Sequence, residues 1–179
     1  MSEHALPRAR RTVATGSAEP LADVGTEPGD PDPSVVRGIV EICGRTDRSR
    51  ALDRIGPLRD ELSPLDADDL VAHLGRRARR LVVAVWAAGG DPVFIDGAGR
   101  LVSGVPPDLG PAVGQVLRRR VAQGADSWRS AAASAGADAD DLVVALGALV
   151  ESLVDDLAAA LDAPRQEVEC AVWTSPPTG

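Results

Sequence analysis

Asp69, His73, Arg76, Arg77 and Arg80 form the densest concentration of chemically capable side chains in this sequence. On a helix, Asp69 and His73 stand one turn apart, so the carboxylate could orient the imidazole for proton transfer. Arg76, Arg77 and Arg80 follow His73 at i+3, i+4 and i+7, which places all four on one face. Guanidinium forks match carboxylate and phosphate. The face therefore suits an anion or an acidic protein surface, and Arg119, from the run Arg118-Arg119-Arg120, could extend it.

A catalytic reading needs more than this. The only other histidine is His4, and no G-x-S-x-G elbow supplies a serine nucleophile. All nineteen basic side chains are arginine, because lysine is absent. That removes a phosphate-loop lysine and any Schiff base. Tyrosine is absent too. No catalytic residue is assigned, and an enzyme is the less favoured expectation.

Metal and cofactor chemistry finds equally little support. Cys43 and Cys170 have no metal-ligand or redox spacing and read as reduced thiols. The acidic pairs Asp68-Asp69 and Asp140-Asp141 suit helix caps, and Asp155-Asp156 suits a solvated stripe. The Asp-Gly-Ala-Gly turn at 96–99 lacks calcium-loop ligand spacing. Neither a metal nor a cofactor is expected.

The net charge of −8 disfavours nonspecific nucleic-acid binding. The longest uncharged apolar run, LVVAVWAAGG, is half of the roughly 20 residues that a membrane span requires. The basic start MSEHALPRARR has no apolar stretch after it and does not read as a signal peptide. The expectation is a cytoplasmic protein whose partner is another protein or a second copy, with a small-molecule anion possible in principle.

The elements that position these residues follow from apolar spacing. With 44% apolar residues but only three Trp and one Phe, the core must be built from Leu, Val and Ala. The pattern predicts an all-α bundle of six to seven helices in a single domain spanning 33–173. Residues 1–32 read as a disordered tail and 174–179 as a frayed end. The expected helices include one capped by Ser34 and ended by Gly44, and one that Gly56-Pro57 kinks or divides. VFI–DGAG–RLV predicts one small β-hairpin at about 93–102.

A segment is stated twice. DADDLVAHLGRRARRLV at 66–82 and DADDLVVALGALVESLV at 138–154 agree at ten of seventeen positions. The bundle could therefore consist of two pseudo-repeated three-helix halves, 33–92 and 106–173. In the first copy Leu70, Val71, Leu74, Ala78, Leu81, Val82 and Val85 make one apolar stripe, with His73, Arg76, Arg77 and Arg80 as its solvent face. The second copy is apolar nearly all round. Its Leu146, Leu149 and Leu153 must lie at the centre of the fold or at a contact between copies. The function these features favour is a noncatalytic helical interaction or regulatory protein. The alternative is an anion-binding protein or enzyme with a pocket near His73 and the Arg76–Arg80 face.

Overall fold

The computed structural model describes residues 31–61, 66–91, 105–118 and 126–174. Among them are seven helices and no strand: α1 (Pro33–Arg45), α2 (Arg48–Glu61), α3 (Ala67–Ala87), α4 (Gly110–Arg118), α5 (Asp126–Ser134), α6 (Ala139–Leu161) and α7 (Arg165–Trp173). The protein is all-α. The hairpin expected at 93–102, the tail up to residue 30, Arg119 and residues 175–179 lie outside the described residues.

α6 is the axis of the bundle. Twelve of its 23 residues are buried, including Leu142, Leu146, Leu149, Leu153 and Leu157. Each of the other six helices touches it, with α3 and α1 in the most extensive contact. The reason is its composition. A helix with leucines at i, i+4, i+7 and i+11 and valines between them is apolar over most of its circumference. Burying each such side chain is worth roughly 1.5–3 kcal/mol.

The two related segments open their helices in the same way. The Asp66 side chain accepts the Asp69 amide at 2.8 Å, and that of Asp138 accepts the Asp141 amide at 3.0 Å. In α6 the Asp141 carboxylate also accepts the Asp138 amide at 3.2 Å, closing a reciprocal capping box. Acidic residues at Asp68, Asp69, Asp140 and Asp141 further favour the positive ends of both helices.

α1 and α2 correct the local expectations. Asp32, placed in the tail by its composition, is the N-cap of α1, and its side chain accepts from the Ser34 amide at 2.9 Å. A carboxylate placed before Pro33 wins over Ser34 because proline at the first helical position needs no amide partner. α1 continues through Gly44 to Arg45 and is closed by Thr46, whose hydroxyl and amide both donate to the Ile42 carbonyl. α2 is a single helix through Pro57. Ala51 and Ile55 bury its first half against the bundle, and this packing offsets the hydrogen bond that proline removes.

Gly147 lets α1 and α6 approach. A Cβ there would stand 2.8 Å from Cys43 Cβ and 2.9 Å from Cys43 Sγ, closer than real carbon atoms come. The same contact buries the Cys43 thiol and pushes its pKa up to about 12, because desolvation disfavours the thiolate. Cys170 is exposed on α7. In the native protein at pH 8, a thiol reagent is therefore expected to modify one cysteine, Cys170, with Cys43 reacting only after denaturation. Counting thiols with a chromogenic disulfide before and after adding guanidinium checks this. Two equally fast native thiols would contradict the packing.

An ionic cluster fastens α7 to α1 and α6. Arg165 pairs with Glu151 at 2.5 Å, with Glu169 at 2.7 Å and with Asp155. Arg37 reaches Glu41 at 2.9 Å and Glu169 at 3.1 Å. Burial works against the Arg165 charge, but the hydrogen bonds it donates to Glu169 and Asp155 and the nearby carboxylates outweigh it and raise its pKa. Burial pushes the Glu151 carboxyl up, with Arg165 and Arg45 opposing.

Candidate functional site

The candidate site is the face of α3 that turns away from α6. Its apolar stripe behaves as the spacing predicts at Leu70, Val71, Leu74, Ala78, Leu81 and Val85, which are buried, while Val82, also expected in it, is only half-buried. The opposite side is not one solvated basic face. It divides into a buried edge and an exposed edge.

His73 and Arg77 form the buried edge, each only 3% exposed, against the expectation that both face solvent. For Arg77 the physical reason is α7, whose position no local pattern in α3 indicates. The Arg77 guanidinium carbon lies 4.5 Å from the centroid of the Trp173 ring, and its Nη1 donates to the Val172 carbonyl. Val172 is in the last turn of α7, where a carbonyl has no partner within the helix and the dipole end is negative. A cation at that position satisfies the carbonyl, favours the dipole and stacks on an aromatic face. Arg77 is thus a cap for another helix.

Arg79 is committed in the same manner. Its Nη1 donates to the Val116 carbonyl of α4 at 2.8 Å. At the start of α3, Asp68 pairs with Arg129 of α5. Arginine from α3 therefore ties down α4 and α7, and its acidic first turn ties down α5.

The exposed edge contains Arg76, the half-buried Arg80, Val83 and Trp86. Val83 is 64% exposed and Trp86 73% exposed, and they are the exposed large apolar side chains among the described residues. Val83 and Trp86 stand about one turn apart, and Arg76 about two turns before Val83, so the three make an outward seam along α3. Sequence reasoning missed Val83 and Trp86 as functional candidates. Their signal was available: neither belongs to the stripe Leu70–Val71–Leu74–Ala78–Leu81–Val85, and Val83 shares the helical face of Arg76.

His73, Arg76, Arg77 and Arg80 do line one recess, as their spacing implies. It is shallow and encloses no space that a water molecule could occupy. Among the described residues no group of three His, Cys, Asp or Glu side chains is placed to hold a metal ion. No helix among them is long and apolar enough to cross a membrane.

Leu146, Leu149 and Leu153, the residues expected at the centre or between two copies, are each 0% exposed within a single chain. They fill the centre of the bundle, and a second copy cannot reach them without opening it. No known family model, curated protein or solved structure gives a significant match to this chain.

Proposed function

We propose that the protein is a noncatalytic helical interaction module that binds a protein partner through the outer seam of α3. The observation that carries this reading is the pair Val83 and Trp86, 64% and 73% exposed one turn apart beside Arg76. Tryptophan and arginine are the residues most enriched among those that dominate binding energy at protein interfaces. A chain with only three tryptophans would not be expected to leave one in water without use. α6, which commits Leu142, Leu146, Leu149, Leu153 and Leu157 to the core, shows no large apolar side chain so exposed.

An anion or small-molecule site at His73, Arg76, Arg77 and Arg80 has weaker support. The recess has no interior, and Arg77 is occupied with α7. The order of two shorter helices followed by a long one occurs twice, in α1–α3 and in α4–α6. This order and the shared capping segment fit duplication of a three-helix unit, one copy supplying the inner helix and the other the outer face.

The test is site-specific photo-crosslinking in the cells that make the protein, with the reactive group at position 83, or at Ala133 on the exposed side of α5. The expected result is one discrete adduct from position 83 that Ala133 does not give. No adduct, or the same ladder from both positions, would remove the reading.

A further inference from the structure

Independently of the α3 seam, we propose that α7 is a releasable strap, helical only while docked, which opens as a unit while α1 to α6 keep their core. Its own sequence does not hold it as a helix. Its nine residues are fewer than the roughly 12–15 that an isolated helix needs in water. Pro164 starts it with no side-chain hydrogen bond to the first amides, and no basic residue stands in its last turn. The Val172 carbonyl is satisfied from outside, by Arg77 of α3.

Apolar burial does not account for the docking by itself. α7 buries Val168, Val172 and Trp173, whereas α6 buries twelve of its residues. Three such side chains fall short of offsetting the entropy lost when nine residues are ordered. The balance falls to arginines at the two ends of the strap. At its first residue, Arg165 pairs with Glu151 at 2.5 Å and with Asp155, both on α6. Arg37 of α1 reaches Glu169 at 3.1 Å, and Arg45 of α1 lies 4.0 Å from Glu41. At the other end Arg77 stacks on the Trp173 ring and caps the Val172 carbonyl.

In the first cluster Arg37, Arg45 and Arg165 face Glu41, Glu151, Asp155 and Glu169, so carboxylates are in excess. Without the Arg165 charge, Glu169 of α7 would confront Glu151 and Asp155 of α6 with less to hold them together. The hinge is Asp162, which closes α6 in the left-handed conformation at φ 51 and ψ 41. A side chain adopts that conformation at a cost, which opening relieves. The remaining bundle keeps its main support, because the most extensive contacts of α6 are with α3 and α1. Opening uncovers Val168, Val172, Trp173 and Arg77, all buried in the closed fold.

The experiment uses the full chain in two formats. In hydrogen exchange with urea kept below the unfolding transition, the amides from Val168 to Trp173 are expected to exchange at least about 10-fold faster than those from Leu146 to Leu157. Their urea dependence should also be weaker, because opening the strap exposes less surface than unfolding the bundle. In a Cys170→Ser background, Val168→Cys places a thiol under the strap, and Cys43 reports on the contact between α1 and α6. A thiol reagent should reach position 168 at least about 10-fold faster than Cys43, and Arg165→Gln should raise the rate at 168 about 10-fold further. The exchange measurement needs no substitution, so it decides the outcome if Val168→Cys itself loosens α7. Equal exchange and equal urea dependence in α7 and α6 would mean that the strap opens only with the whole bundle. A rate at position 168 that Arg165→Gln leaves unchanged would equally overturn the latch.

Discussion

Leu149→Ala is expected to lower the free energy of unfolding by about 3–5 kcal/mol, most of what a domain of this size commonly has. Leu149 is 0% exposed on a helix that every other described helix touches, so the vacated space has little room to collapse from any side. Leu161, half-buried at the end of the same helix, provides the comparison. Leu161→Ala should lose only about 1 kcal/mol, since much of its surface is already wet. Urea titrations followed by circular dichroism measure both. Equal losses at the two positions would mean that α6 is not buried along its length.

The second large effect is at Arg77. Arg77→Ala removes the donor to the Val172 carbonyl and the cation over Trp173. It leaves a buried carbonyl unpaired and a cavity beside the ring, for a combined loss of about 2–4 kcal/mol. Arg77→Lys should recover less than half of this, because a point charge cannot both stack flat on the ring and reach the carbonyl. Trp173, 8% exposed in the native protein, should become more accessible to a fluorescence quencher in Arg77→Ala. Arg76→Ala, one residue earlier and exposed, should change stability by no more than about 0.5 kcal/mol. If Arg76 and Arg77 behave alike, Arg77 does not hold α7.

The contrast between these neighbours marks how far short-range sequence patterns reach. The bundle, the central α6, the inward stripe of α3 and the aspartate caps are legible in the sequence, because each depends on local spacing. Leucines at i, i+4 and i+7 report their own burial, and Asp66 and Asp138 sit next to the amides they cap. The division of the arginine face is not legible. His73, Arg76, Arg77 and Arg80 have the spacing of a single solvated face, and the difference between Arg76 and Arg77 comes from Val172 and Trp173, almost a hundred positions away. No local pattern carries that information. Asp32 escapes sequence reasoning for a simpler reason: a Pro-rich, acidic stretch reads as tail even where its last carboxylate caps a helix.

The same division separates the two helices that share an opening segment. α6 keeps most of its apolar circumference inside. α3 keeps Leu70, Leu74 and Leu81 inside, uses Arg77 and Arg79 to fasten α7 and α4, and leaves Arg76, Val83 and Trp86 facing outward. On the proposed reading, stability and recognition fall to different helices, and mutations should separate them. Substitutions on α6 should lower stability, whereas substitutions at Val83 and Trp86 should alter association with little effect on unfolding.

Hydrogen exchange read by mass spectrometry tests the central place of α6 most directly. The expected result is that the amides of α6 from Leu146 to Leu157 exchange only through global unfolding, while those from Val83 to Ala87, at the exposed end of α3, exchange earlier through local opening. If the α6 amides exchange as early as that end of α3, α6 is not the axis of the bundle.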